Sequence, residues 1–242
     1  MGNNITGKIS SIQTMGTLDG PGVRFVIFMQ GCPLRCVCCH NPETWSFDGG
    51  DSFTPNSLFE RVLRYREYFG DSGGITVSGG EPLMQAEFVA ELFSLCRKSH
   101  ISTCLDTSGC VIDKNVLSLL DKTDHCLLDI KYSSDEKYLN YVGCSIKKPL
   151  EFLSELNSRK IDTRIRQVII EGLNDKKEDI IKLKKLLSPY SCISEIELLP
   201  FRKLCEDKYK ALGVEFKLSA YPETDPQKIR YLNSLLGVTT NR

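Results

Sequence analysis

The sequence lacks three features that would assign it quickly: a long apolar run, an excess of charge of one sign, and more than a few histidines. Nothing in it approaches the roughly 18 continuous apolar residues of a membrane span, and the opening MGNNITGKISS has no apolar core of a signal peptide. Basic and acidic side chains number 31 each, which argues against the broad basic surface of a nucleic-acid-binding protein. We therefore expect a cytoplasmic chain that binds neither membrane nor nucleic acid.

Cysteine, in contrast, is abundant. The chain has 11 cysteines, and an odd number without any sign of secretion argues against a disulfide framework. Seven of them stand singly among apolar neighbours and are interpreted as small buried side chains: Cys96, Cys104, Cys110, Cys126, Cys144, Cys192 and Cys205. The other four lie close together in the segment GCPLRCVCCHN (31–41).

The length suits a single α/β domain over residues 1–242. Six short, largely β-branched runs alternate with segments of helical period. These runs are VRFVIFM (23–29), GITVS (74–78), ISTCLD (101–106), CLLDI (126–130), RIRQVII (164–170) and EIELLP (195–200). Such alternation predicts a parallel sheet with right-handed crossovers. Six units over this length favour a partial (β/α)6 barrel of parallel strands with outer helices.

Three of the intervening helices have clear signals. One is predicted over TPNSLFERVLRYREYF (54–69), with Thr54 as its N-cap. A second covers AEFVAELFSLC (86–96), where apolar residues recur at helical spacing. A third is predicted to start at Asn174 or Asp175.

Chemically distinctive residues follow the predicted strands at their C-terminal ends. They are the cysteine loop (30–41) after Met29, GGEP after Ser78, DTSG after Leu105, Asp129 and Lys131 closing the fourth strand, and FRK after Pro200. Because the loops at the C-terminal ends of parallel strands share one face, these five clusters are expected to form one active site.

The spacing Cys32-x3-Cys36-x2-Cys39 indicates a metal centre. Three thiolates on a flexible loop can bind zinc or an iron–sulfur cluster. A structural zinc site usually has a fourth ligand, and Cys38 does not easily supply it because adjacent residues rarely point at one metal atom. A four-iron cluster held by three cysteines keeps one iron open for a substrate.

The loop resembles the signature of the radical S-adenosylmethionine (SAM) enzymes. In that family the open iron of a 4Fe–4S cluster is chelated by the amino and carboxylate groups of SAM. The reduced cluster then passes one electron to the sulfonium, which yields a 5′-deoxyadenosyl radical. The resemblance implies that Cys32, Cys36 and Cys39 bind the cluster, while Cys38 lines SAM through its backbone. The cluster and SAM carry the radical chemistry, and no side-chain base is needed.

The resemblance extends along nearly the whole chain to a narrower group, the activating enzymes of glycyl-radical enzymes, in the branch that acts on pyruvate formate-lyase (formate acetyltransferase). The shared motifs are GTLDGPGVRFVIFMQGCPLRCVCCHNPETW, GGITVSGGEP, TCLDTSG, LLDIK, IRQVII and IELLPF. The absence of cysteine between Cys39 and Cys96 excludes the ferredoxin-like insert of other branches. The implied partners are that protein substrate and a flavodoxin or ferredoxin as electron donor, and the chain is expected to be a monomer.

The same resemblance assigns further residues to the cofactors. Gly79 and Gly80 would contact the SAM amino group, with Glu81 beside them. His40 and Asn41 would surround the adenine and sulfonium. Other implied SAM contacts lie on later strands: Asp129, Ile130, Lys131, Arg166 and Arg202, the last of which stands where the group commonly has histidine.

Two more sites are implied. Asp106, Thr107 and Asp129, with the main-chain carbonyl of Leu127, would hold a monovalent cation beside the SAM carboxylate. Asp19, in LDGPG, would bind a basic residue of the target peptide. The competing hypotheses are a radical SAM enzyme that acts on a small molecule, such as a deazaguanine synthase, and a non-catalytic iron–sulfur or zinc protein.

Overall fold

The computed structural model describes residues 5–237. Its strands are β1 (Gly7–Gly16), β2 (Arg24–Met29), β3 (Asp51–Phe53), β4 (Gly74–Gly79), β5 (Ser102–Thr107), β6 (His125–Asp129), β7 (Asp162–Ile169) and β8 (Ile193–Pro200). Its helices are α1 (Pro55–Leu63), α2 (Ala86–Lys98), α3 (Lys114–Leu120), α4 (Asp135–Tyr141), α5 (Lys147–Arg159), α6 (Lys177–Leu187), α7 (Glu206–Ala211) and α8 (Pro226–Leu236).

The strands form a curved, mostly parallel sheet in the order β3-β1-β2-β4-β5-β6-β7-β8. β2 and β4 to β8 pair in parallel, as predicted, so the prediction of a partial barrel with outer helices is confirmed. β1 and β3 were not predicted, and they extend one edge of the sheet in antiparallel orientation. β1 is difficult to recognise because its pairing with β2 shifts register twice, at Ile9/Ser11 and at Gln13/Gly16.

The two faces of the parallel strands have different roles. Phe25, Ile27 and Met29 of β2 face outward and join the main hydrophobic core beneath the helices. The alternate residue Arg24 faces the interior of the partial barrel, where its guanidinium donates to Thr76 Oγ1 at 3.0 Å. Strand alternation therefore places apolar residues under the helices and polar residues inside the barrel.

Local signals set the helix limits. Thr54 caps α1, and its side chain and that of Ser57 exchange hydrogen bonds with each other's backbone N–H, a box that contributes about 1 kcal/mol. α1 ends at Leu63, earlier than predicted. α6 starts at Lys177 rather than at Asn174 or Asp175, because the side chains of these two residues accept from backbone N–H groups within the preceding turn.

Two smaller hydrophobic clusters lie next to the cysteine loop. The Phe201 cluster comprises Val37, Cys38, Ile170, Phe201, Cys205, Tyr209, Phe216 and Leu218. The Tyr138 cluster comprises Leu34, Cys110, Tyr132, Tyr138, Val142 and Ile146. The loop thus rests on two packed supports in addition to the sheet.

None of the helices within residues 5–237 combines the length and the apolar composition that crossing a membrane requires.

Candidate active site

The cysteine loop leaves the C-terminal end of β2 and is held by backbone hydrogen bonds on both sides. The N–H of Gly31 donates to Thr44 O at 2.9 Å, and that of Val37 donates to Tyr141 O at 2.9 Å. Within the loop, Cys39 N–H donates to Cys36 O at 3.1 Å. The fold therefore fixes the path of the loop before any ligand binds.

Gly79 and Gly80 bring the end of β4 against the start of this loop. Gly79 has a φ of +107°, and a Cβ there would lie 2.2 Å from Met29 N. A Cβ on Gly80 would lie 2.3 Å from Gly31 O. Both glycines are therefore required by backbone packing alone. The same absence of side chains exposes their backbone to a ligand, and the predicted contact with SAM remains a prediction.

The four thiols of the loop fall into different surroundings. Cys38 is 8% exposed and belongs to the Phe201 cluster. Cys32 and Cys36 are half-buried and pack against the Tyr138 cluster, and Cys39 is also half-buried. This separation agrees with a set of three ligands from which Cys38 is excluded.

Burial keeps these thiols protonated when no metal is bound. It raises the pKa of Cys32 to about 12 and that of Cys36 well above the ordinary value, with Lys131 acting in the opposite direction on both. A metal centre therefore has to displace the protons, because thiolate is the form that binds iron. Binding of the cluster is expected to weaken as pH falls.

The donor set fits a four-iron cluster. Within residues 5–237, histidine, cysteine and acidic side chains do not converge in groups of three that could hold one metal ion. A cluster does not need such convergence, because each cysteine binds a different iron. The fit has further support next to Cys36, where the buried hydroxyl of Tyr132 has no partner in the described part of the protein.

Four charged side chains share the interior of the barrel beside the loop. Arg166 on β7 contacts Asp106 on β5, and its Nε lies 3.3 Å from Asp129 Oδ1 on β6. Lys131 Nζ donates to Asp129 Oδ2 at 2.8 Å. These side chains are all largely buried. The strands thus bring together Asp106, Asp129, Lys131 and Arg166, as the sequence predicted.

Burial and pairing act differently on the two carboxylates. Burial raises the pKa of Asp106 to about 6, although Arg166 opposes the shift. For Asp129, burial acts in the same upward direction, but Lys131 and then Arg166 overcome it and hold the pKa below its usual value. Asp129 is therefore the firmly ionised partner of both cations.

The predicted cation ligands are not all directed at one point. Thr107 Oγ1 donates to Glu81 at 2.5 Å, and Asp106 Oδ2 accepts from Ser78 Oγ at 2.6 Å. Leu127 lies within β6 and is paired with both neighbouring strands. Both oxygens keep lone pairs in these bonds, so a cation between the carboxylates would compete mainly with Arg166 and Lys131, which already pair with Asp106 and Asp129.

Glu81 is buried and hydrogen-bonded within the protein. Its side chain is 1% exposed and accepts four hydrogen bonds: from Thr107 Oγ1, from Leu83 N–H at 3.2 Å, and from both the N–H and the hydroxyl of Ser108. Burial raises its pKa, with Ser108 and Thr107 acting in the opposite direction. The oxygens of Glu81 therefore already hold the loop after β5, and its predicted contact with SAM remains a prediction.

The predicted ligands His40, Asn41 and Arg202 meet beneath α7. His40 Nε2 lies 3.1 Å from Arg202 O, while the Arg202 guanidinium turns away to Thr224 O at 3.3 Å. Asn41 Oδ1 accepts from Lys208 Nζ at 3.0 Å. A polar cavity of about 220 Å³ opens beside Asn41 and Lys208.

Ile130, which was expected among the SAM contacts, is fully buried in the main core. Only its backbone is therefore available to a ligand at the rim. Its carbonyl accepts from Gln167 Nε2 at 2.8 Å, and its N–H donates to Arg166 O at 3.0 Å. These hydrogen bonds fix the backbone between Asp129 and Lys131.

Asp19 lies in the loop between β1 and β2, at the far end of the interior. Its carbonyl accepts from Thr76 Oγ1 at 2.6 Å. Its side chain is half-buried; burial raises its pKa and Arg166 acts in the opposite direction. Asp19 therefore belongs to the same electrostatic environment as the four charges of the barrel.

Sequence reasoning missed three supporting residues. Arg24 is fully buried and ties β2 to β4 and β5. Lys208 and Tyr209 hold the end of the cysteine loop: Lys208 Nζ donates to His40 O at 3.0 Å, and the Tyr209 hydroxyl donates to Cys39 O at 3.1 Å. The charge of Arg24 within an apolar strand was a usable signal, whereas nothing in the local sequence connects α7 to the loop.

Comparison with known proteins agrees with this geometry. The model of the Radical SAM superfamily matches residues 26–183. Pyruvate formate-lyase 1-activating enzyme of Escherichia coli strain K12 is 39% identical, over 97% of this chain and 96% of that protein. The pyruvate formate-lyase-activating enzyme of Clostridium pasteurianum is also 39% identical, over 96% of this chain and 98% of its own length.

Solved structures share the fold at low identity. SuiB of Streptococcus suis, bound to its precursor peptide SuiA, matches with a TM-score of 0.68 at 16% identity. The match covers 88% of this chain but 44% of SuiB. A domain of pyruvate-formate lyase-activating enzyme from Bacteroides vulgatus matches with a TM-score of 0.57 at 19% identity, over 68% of this chain and 93% of that domain. The chain belongs to the radical SAM superfamily and, within it, to the family of pyruvate formate-lyase activating enzymes.

Proposed function

We propose that this chain activates formate acetyltransferase (pyruvate formate-lyase) by reductive cleavage of SAM and abstraction of a hydrogen atom from a backbone glycine, which leaves a glycyl radical. The observation that carries the proposal is the position of the three half-buried cysteines beside the charged barrel interior. The identity of 39% to activating enzymes over nearly the full length supports it. The activity is assigned to one radical SAM domain, residues 1–242.

The cofactors of the family are a 4Fe–4S cluster and SAM, which when bound supply the electron transfer and the radical that removes the hydrogen atom. Cys32, Cys36 and Cys39 would each hold one iron, so the fourth iron stays open to SAM. The backbone of Cys38 and of Gly79 would line the ligand. The protein's contribution is to orient these groups and to exclude water.

Lys131 and Arg166 suit the carboxylate and ribose of SAM, because Asp129 keeps both cations ionised and fixed in position. A SAM carboxylate would compete with Asp129 and Asp106 for them. The predicted monovalent cation, held by Asp106, Thr107, Asp129 and the Leu127 carbonyl, would offset the charge of the carboxylates that lose their partners.

Asp19 is proposed to bind a basic side chain of the target's glycine loop. Burial disfavours the ionised form of Asp19, and an incoming basic side chain would stabilise that form by pairing with it. His40, Asn41 and Arg202 are proposed near the adenine, and Arg202 would first have to leave Thr224.

The remaining partners follow from the chemistry. A low-potential flavodoxin or ferredoxin would supply the electron, and the chain would act as a monomer in an anaerobic or facultative cytoplasm. The shortage of histidine is consistent with chemistry that needs no side-chain base.

The deciding experiment uses anaerobically reconstituted protein with SAM, dithionite and purified formate acetyltransferase. We expect 5′-deoxyadenosine together with a glycyl-radical EPR doublet on the partner. Absence of 5′-deoxyadenosine would reject the enzyme hypothesis. Deoxyadenosine without the doublet would reject the activase and favour a small-molecule substrate.

Two serine variants test the ligand set. Cys39→Ser should lose both the cluster and SAM cleavage, because one iron loses its thiolate. Cys38→Ser should keep both, because the Cys38 side chain packs in the Phe201 cluster. Iron and sulfide content report on the first property and deoxyadenosine on the second. The opposite pattern would mean that Cys38 is a ligand.

A further inference from the structure

Tyr132 carries a buried hydroxyl that has no partner in the described protein. Its side chain is 1% exposed, and its hydroxyl makes no hydrogen bond within residues 5–237. Buried hydroxyls are nearly always hydrogen-bonded, since burial removes their bonds to water. A hydroxyl that lacks a partner in the protein therefore points to a partner that binds later.

The surroundings of Tyr132 hold its ring in place. Its ring centroid lies 5.3 Å from that of Tyr141 in a tilted pair and 6.5 Å from that of Tyr138 in an edge-on pair. All three side chains lie in or against the Tyr138 cluster. Tight packing leaves the ring little freedom to turn its hydroxyl toward solvent.

The cysteine loop lies on the same cluster. Cys32 and Cys36 are packed against it, and the loop is tied there by the bond from Val37 N–H to Tyr141 O at 2.9 Å. Burial raises the pKa of Tyr132, and the next largest cause is Cys38, with Cys36 also contributing. The phenol is thus a neutral donor near Cys38, which is not a predicted ligand, and near Cys36, which is one.

We infer that the Tyr132 hydroxyl donates a hydrogen bond to a sulfur of the bound cluster, either a cysteine ligand or a bridging sulfide, and so raises the cluster's reduction potential. Tyr132 is a positioning and tuning residue and takes no part in the radical step. The inference rests on the proposed function because it requires the cluster. Hydrogen bonds to cluster sulfurs stabilise the more negatively charged, reduced form.

The direct test is Tyr132→Phe, which removes the hydroxyl and keeps the ring. Redox titration of the reconstituted protein without SAM, followed by EPR of the reduced cluster, measures the potential. We expect the ratio of reduced to oxidised cluster at a fixed potential to fall about tenfold, equivalent to about 59 mV for a one-electron couple. An unchanged ratio in a fully loaded variant would overturn the inference and leave the proposed function intact.

Tyr138→Phe is the matched control. Tyr138 belongs to the same cluster, but its hydroxyl has partners: it accepts from Lys131 N–H at 3.1 Å and donates to Asp129 O at 3.3 Å. We expect its reduced-to-oxidised ratio to change less than twofold. A tenfold fall in this variant as well would mean that the potential responds to packing, and would overturn the role of Tyr132.

Stability without the cluster gives a second readout. Tyr132→Phe should raise the urea midpoint of the apoprotein, since it removes an unpaired buried hydroxyl, whereas Tyr138→Phe should lower it. A lower midpoint for Tyr132→Phe would show that the hydroxyl already has a partner in the apoprotein, either a protein group or a buried water, which contradicts the inference.

If Tyr132→Phe does not bind the cluster, protein that keeps Tyr132 can still test the inference. The Tyr209→Phe variant removes the labelled hydroxyl that lies on Cys39 O. Grown on tyrosine labelled with ¹⁷O in the hydroxyl, it should show an ¹⁷O hyperfine coupling in the ENDOR spectrum of the reduced cluster. Absence of that coupling in loaded protein would overturn the inference. Failure of the wild type itself to bind a cluster would instead reject the proposed function.

Discussion

Replacing Glu81 tests whether the rim of the barrel is assembled around one buried carboxylate. Glu81 follows the two glycines after β4, and its Oε1 accepts from Leu83 N–H at 3.2 Å and from Thr107 Oγ1 at 2.5 Å. Its Oε2 accepts from the N–H of Ser108 at 3.0 Å and from the Ser108 hydroxyl. A single side chain therefore joins the loops that follow β4 and β5.

The expected loss of stability in each Glu81 variant depends on how many of the four donors lose their acceptor. In Glu81→Gln the remaining amide oxygen can keep Leu83 and Thr107, and the Ser108 hydroxyl can rotate to accept from the new amide. The N–H of Ser108 then faces the new amide NH2 and has no acceptor, which should lower the free energy of unfolding by about 1–3 kcal/mol. In Glu81→Ala all four donors lose their acceptor and a cavity remains, so we expect about 3–5 kcal/mol.

Urea unfolding of the apoprotein measures both values, and hydrogen exchange at Ser108 and Gly109 locates the effect. Glu91→Gln on the exposed face of α2 is the control, with an expected change within about 0.5 kcal/mol. Equal stability of Glu81→Gln, Glu81→Ala and the wild type would refute the reasoning. So would an alanine variant more stable than the glutamine variant.

Two further predictions concern the barrel interior. Because the pKa of Asp106 is about 6 in the folded state and about 3.9 when unfolded, the folded state binds more protons between these values. The free energy of unfolding of the wild type relative to Asp106→Asn should therefore rise by about 2 kcal/mol as pH falls from 7 to 4, and urea titrations showing no such difference would contradict the shift. Arg24→Lys should lower the unfolding free energy by about 2–4 kcal/mol, because lysine cannot reproduce the planar guanidinium that donates to Thr76 Oγ1, Pro21 O and Ser102. A loss below about 0.5 kcal/mol in the same urea assay would show that these hydrogen bonds are dispensable.

The parallel part of the fold was predictable because most of its strands are buried on both faces. The first four of them, β2, β4, β5 and β6, are mostly buried, and the helical segments between the strands indicate βαβ units. β1 and β3 were missed because both are largely exposed: three of the ten residues of β1 are buried, and none of the three residues of β3 is. In β1 the alternation is further interrupted where the pairing with β2 shifts register, between Gln13 and Gly16.

A charged residue within or next to an apolar strand indicates a paired, functional or structural charge, because an unpaired charge there is costly. Lys131 and Arg166, which the resemblance assigned to the site, have this signature, and the structure pairs both with Asp129. Arg24 has the same signature in VRFVIFM, but its partners are carbonyls and hydroxyls rather than a carboxylate. Its role depends on tertiary neighbours that the local sequence does not reveal.

Glu81 shows that a sequence motif predicts where a residue lies in the fold better than it predicts what its side chain contacts. The motif correctly located it at the rim, next to Gly79 and Gly80. The contacts of its carboxylate depend on the loop after β5, which lies more than twenty residues away in sequence. The same holds for α7, whose Lys208 and Tyr209 reach the cysteine loop from the last fifth of the chain.

If the SAM carboxylate binds at the barrel interior, as proposed, it enters a site whose charges are already balanced. Two carboxylates and two cations pair among themselves: Asp106 with Arg166, and Asp129 with both Arg166 and Lys131. An incoming carboxylate therefore meets cations that are already fixed and desolvated, so it exchanges partners rather than ordering mobile side chains. The exchange leaves Asp106 and Asp129 facing each other without their cations. Without Lys131 and Arg166 nothing opposes the effect of burial on the pKa of Asp129, so a bound cation would be needed to keep both carboxylates ionised at neutral pH.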